Sequence, residues 1–164
     1  MLKVLELNSS EPREFTRLLA PVFEHAPWIA ARTVEKRPFA NAAHLYAALC
    51  ETVTKASVEE KLSLIRAHPD LVARGVLTPE SQAEQAAAGL GEISADERER
   101  FREYNAQYRE KFGFPFVICA RLNKKEAILD AFPIRLQNSR DQEMETALRE
   151  IFKIAELRLN DLIQ

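Results

Sequence analysis

The sequence predicts an all-α fold, a single compact bundle of roughly seven to nine helices. Three observations carry that expectation. Apolar residues recur at the 3.6-residue helical spacing along almost the whole chain. Helix-start signals, a Ser, Thr or Asn followed by a proline or by a glutamate three positions on, precede most of those periodic stretches. The one apolar run without helical spacing, "FPFVICA" at 114–120, is too short and too isolated to imply a sheet. With 164 residues, 46% of them apolar, residues 1–164 suffice for one domain with a real core.

In chain order, Ser9 or Ser10 is placed to cap a first helix whose inward stripe is Phe15, Leu18, Leu19, Val22 and Phe23. Pro27 starts a short segment around Trp28. Asn41 caps a third, with Leu45, Leu49 and Val53 inward. Ser57 and Glu60 form a capping box ahead of Val58, Leu62 and Ile65. That helix must stop near His68, because Pro69 disfavours helical geometry in the residue before it. Thr78-Pro79-Glu80 is a cap, a first-turn proline and an acid at the positive end of the dipole; the helix it opens runs to about Gly89. Ser94 and Glu97 begin a long helix with Phe101, Tyr104, Asn105, Tyr108 and Phe112 on one side and Gly113 as its stop. After the apolar run, Asn123 and Glu126 open another, disturbed near Pro133. The last and longest covers about 140–163, with Met144, Leu148, Ile151, Ala155 and Leu162 inward.

Composition excludes several function classes. The net charge is −2 with acids and bases interspersed, so neither a nucleic-acid stripe nor a strongly acidic tail is present. No apolar run reaches membrane-spanning length, and the N-terminal stretch has no signal-peptide core. Cys50 and Cys119 read as buried free thiols of a reducing compartment. The C-terminal "NDLIQ" is not a peroxisomal address, so a cytoplasmic protein is expected. Four glycines in all leave no phosphate-binding loop.

Some polar residues are not explained by a helical core. His68, in "RAHPD", stands at a helix C-terminus, where the macrodipole favours its protonated form, and Pro69 stiffens the chain beside it. It suits a proton donor, or merely a cap on the last carbonyls. Ser81, Glu84 and Gln85 share one helical face, either solvated or turned into a crevice that the neighbouring alanines leave open. Arg158 interrupts the apolar stripe of the last helix; if buried, it needs a carboxylate or an anionic ligand, and Glu84 is a candidate partner. The non-helical 116–120 backbone offers N–H groups to a small planar ligand, or simply fills core. His25, His44 and His68 lack the paired spacing of a metal site.

Taken together, "RPFANAAHLYAAL", "RAHPDL", "LTPESQAEQAAAGL", "YNAQYREKFGFPFVICARLNKKEAIL" and "RLQNSRDQEMETALREIFKIAELRLNDL" resemble the 2-oxo-4-hydroxy-4-carboxy-5-ureidoimidazoline (OHCU) decarboxylases, over nearly the whole chain and in the same order. The resemblance implies an all-helical homodimer without metal or organic cofactor. It implies a small-molecule substrate, the urate-derived ureidoimidazoline, converted to (S)-allantoin in urate degradation. On the matching motifs, His68 is the acid and Glu84 a second catalytic group. Pro69, Ser81, Gln85, Arg158 and the backbone of Phe116, Val117, Ile118, Cys119 and Ala120 then bind substrate. The stretch between "HPDL" and "LTPES" is only "VARGV", shorter than in some relatives, and Val72 replaces a small residue there.

The chemistry suits these residue types. Losing a carboxylate leaves an electron pair that the ring takes up as an enolate, so no cofactor sink is required. Backbone N–H groups suit the enolate oxygen, and a histidine suits the delivery of one proton to one face. Two other classes compete: a non-catalytic helical interaction module of the same fold, and a metal-dependent bundle enzyme using the three histidines.

Overall fold

Asn41, Ser57, Thr78 and Ser94 each accept a hydrogen bond from the backbone N–H three residues on, so four helices begin where their capping residues dictate. The computed structural model describes residues 1–73 and 75–163; Arg74, in the short stretch after "HPDL", and Gln164 lie outside the described residues. Among the described residues the fold is all-α, with nine α-helices. The one β-type pairing is an isolated bridge between Leu2 and Ile163. No helix is long and apolar enough to cross a membrane. Two compact units are distinguished, residues 68–151 and the remainder.

The unit made of Met1–Ala67 and the chain from Phe152 on contains α1 (Val4–Ser9), α2 (Pro12–Leu19), α3 (Pro27–Thr33), α4 (Ala42–Thr54), α5 (Val58–Arg66) and the end of α9 (Arg140–Leu162). α2 packs on α3, and α3 on α4. Phe15, Leu19, Ile29, Leu45, Leu49 and Ile65 are buried there. Neither Ser9 nor Ser10 caps the stripe helix. α2 starts at Pro12 behind Glu11, and the two serines hydrogen-bond back to carbonyls of α1, a short helix the apolar spacing did not announce. The Asn8 side chain closes a two-way hydrogen bond with the Phe39 backbone, whose ring stacks on Phe15.

The unit of His68–Ile151 contains α6 (Pro79–Ala87), α7 (Ala95–Phe112), α8 (Lys125–Arg135) and the start of α9. α7 ends on Gly113, whose φ of 77° is the left-handed conformation a C-terminal stop requires. Residues 115–119 are irregular and lead into a 3-10 turn at Ala120–Leu122. Phe101, Tyr108, Phe112, Phe114, Phe116 and Phe132 form an aromatic core around them. Asn123 is not the cap of α8. Lys124 holds that position, and the Asn123 side chain instead donates to the Cys119 carbonyl at 2.9 Å.

The buried face of α9 differs from the stripe read off its apolar residues. Met144 and Leu148 are only half-buried, whereas Glu143, Ala147, Glu150, Ile151, Ile154, Ala155, Arg158 and Leu159 are buried. Three charges therefore face inward at helical register. Cys119 is buried as expected, but Cys50 is half-buried.

Candidate active site

His68 directly follows Ala67, the C-cap of α5, and its side chain is buried. The segment after it is fastened residue by residue. Asp70 accepts both contacts from Arg109 Nε, at 2.9 and 3.1 Å. The Leu71 carbonyl accepts from Asn105 Nδ2 at 2.9 Å. The Val72 N–H donates to Gln85 Oε1 at 3.2 Å. Pro69, just before these anchors, is half-buried. The "HPDLV" stretch is thus held on α6 through Gln85 and on α7 through Asn105 and Arg109. Asn105 Oδ1, by contrast, is buried without a hydrogen-bond partner among the described residues. A groove of about 720 Å³ is lined by Asp70, Val72 and Ala73 together with α7 side chains, and its lining includes neither His68 nor Glu84.

α6 owes its start to Thr78, whose Oγ1 accepts from the Ser81 N–H, and to Pro79 in the first turn. Ser81, Glu84 and Gln85 are all buried, at 5%, 9% and 8% exposure, so their shared face is not a solvated one. α6 packs against the 120–122 turn, and the Ala88 carbonyl at its end accepts from the Lys125 N–H. One helix therefore joins the histidine segment to the irregular apolar segment.

Phe116, Val117, Ile118, Cys119 and Ala120 are buried. Arg135 Nη1 donates to the Val117 carbonyl at 2.6 Å, and the Cys119 N–H donates to Glu150 Oε1 at 3.1 Å. Burial pushes the Cys119 thiol up, and the nearby Glu150 and Glu84 carboxylates add to the shift. Both carboxylates are thus near enough to act on this segment electrostatically, which ties Glu84 of α6 to it. A neutral, buried thiol is no nucleophile.

Arg158 lies in the other unit. Its Nη2 donates to Glu24 Oε1 at 2.8 Å and its Nη1 to the Pro21 carbonyl at 3.2 Å. Glu24, itself buried, is a carboxylate partner that the sequence reading did not name. The roles of Glu150, Glu143 and Arg135 were missed as well. The signal was available: Glu143 and Glu150 share the register of Ala147, Ile151 and Arg158, and a charge on a buried stripe demands a partner.

His44 Nδ1 accepts from the Ala40 N–H at 3.0 Å, so that nitrogen is already used. No group of three His, Cys, Asp or Glu side chains is arranged to hold a metal ion among the described residues.

The sequence of residues 8–160 matches the family of OHCU decarboxylase. The 2-oxo-4-hydroxy-4-carboxy-5-ureidoimidazoline decarboxylase of Amia calva is 44% identical over 163 residues, covering 97% of this chain and 93% of that protein. A crystal structure of (S)-allantoin synthase superposes with a TM-score of 0.81 at 31% identity, covering 99% of this chain and 54% of the other. A crystal structure of OHCU decarboxylase in the presence of (S)-allantoin gives a TM-score of 0.73 at 27% identity, over 93% of this chain and 98% of the other. The matched span runs from α1 to near the end of α9 and contains every candidate site residue, and on that similarity the chain belongs to the OHCU decarboxylase family of carboxy-lyases.

Proposed function

We propose that this protein decarboxylates OHCU to (S)-allantoin in urate degradation, as a cytoplasmic homodimer and without a cofactor. The observation that carries the proposal is the buried polar face of α6. Ser81, Glu84 and Gln85 are withdrawn from bulk water on a helix that packs against the 120–122 turn, while Gln85 grips the segment following His68. Hydroxyl, carboxylate and amide groups on one sheltered face suit a ureido ring, which is rich in N–H and C=O groups.

In the proposed reaction the bond from the ring carbon to the carboxylate breaks and carbon dioxide leaves. The electron pair stays with the ring as an enolate. Backbone N–H groups of 116–120 donate to the developing oxyanion; the Phe116, Val117 and Ile118 amides have no acceptor among the described residues. The hydroxyl on the carbon that lost the carboxylate becomes the ring carbonyl as its proton leaves, and His68 delivers one proton to one face of the neighbouring ureido-bearing carbon, which fixes the S configuration. Glu84 orients His68 or binds the substrate hydroxyl.

The test is a coupled assay. Urate is fed to urate oxidase and hydroxyisourate hydrolase, and optical rotation is followed with and without this protein. A fast (S)-allantoin signal that scales with protein concentration is expected. Slow racemic product at the uncatalysed rate would remove the proposal. Sedimentation velocity tests the dimer.

A further inference from the structure

The Val117–Ile118 peptide is gripped at one end only. Arg135 Nη1 donates to the Val117 carbonyl at 2.6 Å, and its guanidinium lies over the Phe116 ring, 4.1 Å from the ring centroid. Arg135 is itself fixed. Its Nε donates to Glu143 Oε1 at 2.7 Å, and Asn138 Nδ2 donates to Glu143 Oε2 at 2.9 Å. The Tyr108 hydroxyl completes the cluster on Glu143 Oε1. Glu143 is 0% exposed and Arg135 7%, so this geometry is set inside the protein and not at its surface.

A trans peptide is planar, and its carbonyl and N–H point in opposite directions. The Val117–Ile118 bond is trans. Anchoring the Val117 carbonyl on Arg135 therefore aims the Ile118 N–H away from the guanidinium. On the next peptide the Cys119 N–H is already taken by Glu150. The Ile118 N–H, between two fastened planes, has no acceptor among the described residues. A cation on the carbonyl also draws electron density from the amide, making the N–H a stronger donor, by about 10–30% for each linked bond. A buried ion pair is weak as a source of stability, since apolar side chains of similar volume often serve as well. Its geometric effect on the peptide is what an apolar pair could not supply.

We propose that Arg135, held by Glu143, is a positioning residue. It sets and polarises the peptide whose Ile118 N–H donates to the ligand's oxygen. This rests on the reading that the 116–120 backbone binds the ligand.

The experiment compares wild type with Arg135→Lys, which keeps a cation beside Glu143 but loses the planar fork and the ring contact. Amide resonances are followed by NMR during titration with (S)-allantoin, and kcat and KM are measured in the coupled assay. In wild type the Ile118 amide proton should move downfield. In Arg135→Lys that shift should shrink, and kcat should fall about 10- to 100-fold with a smaller change in KM, because the donor matters most to the transition state. If Arg135→Lys does not fold, Asn138→Ala, which loosens Glu143 from the half-buried side, should show the same signature more weakly. An Ile118 amide that ignores allantoin in wild type overturns the backbone-binding reading and this proposal with it. A wild-type response retained in the variant, with unchanged kcat, overturns the positioning role alone. So does a variant that only melts earlier while its folded fraction turns over normally.

Discussion

Arg158 and Glu24 form an ion pair at 2.8 Å in which both side chains are almost fully buried, at 5% and 1% exposure. Removing one partner of such a pair leaves an uncompensated charge in a medium that solvates it poorly, at a cost of about 3–5 kcal/mol. Glu24→Ala is therefore expected to lower stability by that amount in urea unfolding. Glu24→Gln keeps an acceptor for the guanidinium and should cost less. If Glu24→Ala unfolds at the wild-type midpoint, the pair is not an anchor.

His68→Asn tests the proton donor. Asparagine is similar in size and still donates a hydrogen bond, but it supplies no proton near neutral pH. The variant should fold, bind allantoin and lose two to four powers of ten in turnover, about 3–5 kcal/mol of barrier. Glu84→Gln should cost affinity as well as rate, since that carboxylate is buried on the face proposed to meet the ligand. Near-normal production of (S)-allantoin by His68→Asn would reduce His68 to a helix terminator and would require a mechanism built on Glu84.

Val72 holds φ of 59°, in the left-handed region that a β-branched side chain resists. Strain of this kind costs about 1–3 kcal/mol. Glycine removes it at an entropic cost of roughly 0.5–1 kcal/mol in the unfolded chain. Val72→Gly should thus stabilise the protein by about 1 kcal/mol, read as a Tm increase of about 2–4 °C. The N–H that Gln85 accepts survives the substitution. An unchanged or lower Tm would mean that the Val72 side chain contributes packing that outweighs the strain.

Glu60 illustrates how acid acts on the fold. The Arg32 guanidinium first, then the Ser57 N–H, hold its carboxyl down to about 2, from an ordinary 4.5. The charged form is thus favoured in the folded state. The stability this contributes is fully present above pH 4.5 and is lost as pH falls toward 2. Glu60→Gln should flatten the stability profile between those values and leave it nearly parallel to wild type at neutral pH. Solvent screening at this exposed site keeps the effect small. Equal slopes for both proteins across the acid range would count against the Arg32 contact.

The sequence by itself determined the all-helical class, the starts of α4, α5, α6 and α7, and the candidate polar residues. These are local matters. A cap and its target N–H are three residues apart, and helical period is a property of one segment, so no distant contact is needed to read them. The motif order likewise pointed to the family. Only the tertiary structure decided the partners. Nothing within a few residues of Arg158 announces Glu24, which is 134 positions away. Glu143 and Glu150 looked like the polar side of α9 because apolar residues were used to locate the stripe. They face inward because Arg135 and Tyr108 on one hand, and the Cys119 N–H on the other, meet them there. The irregular 115–119 segment was legible as non-helical, but which of its amides are fastened and which stay open was not. That depends on side chains from α8 and α9, and a buried charge becomes readable only when the group that neutralises or hydrogen-bonds it is in view.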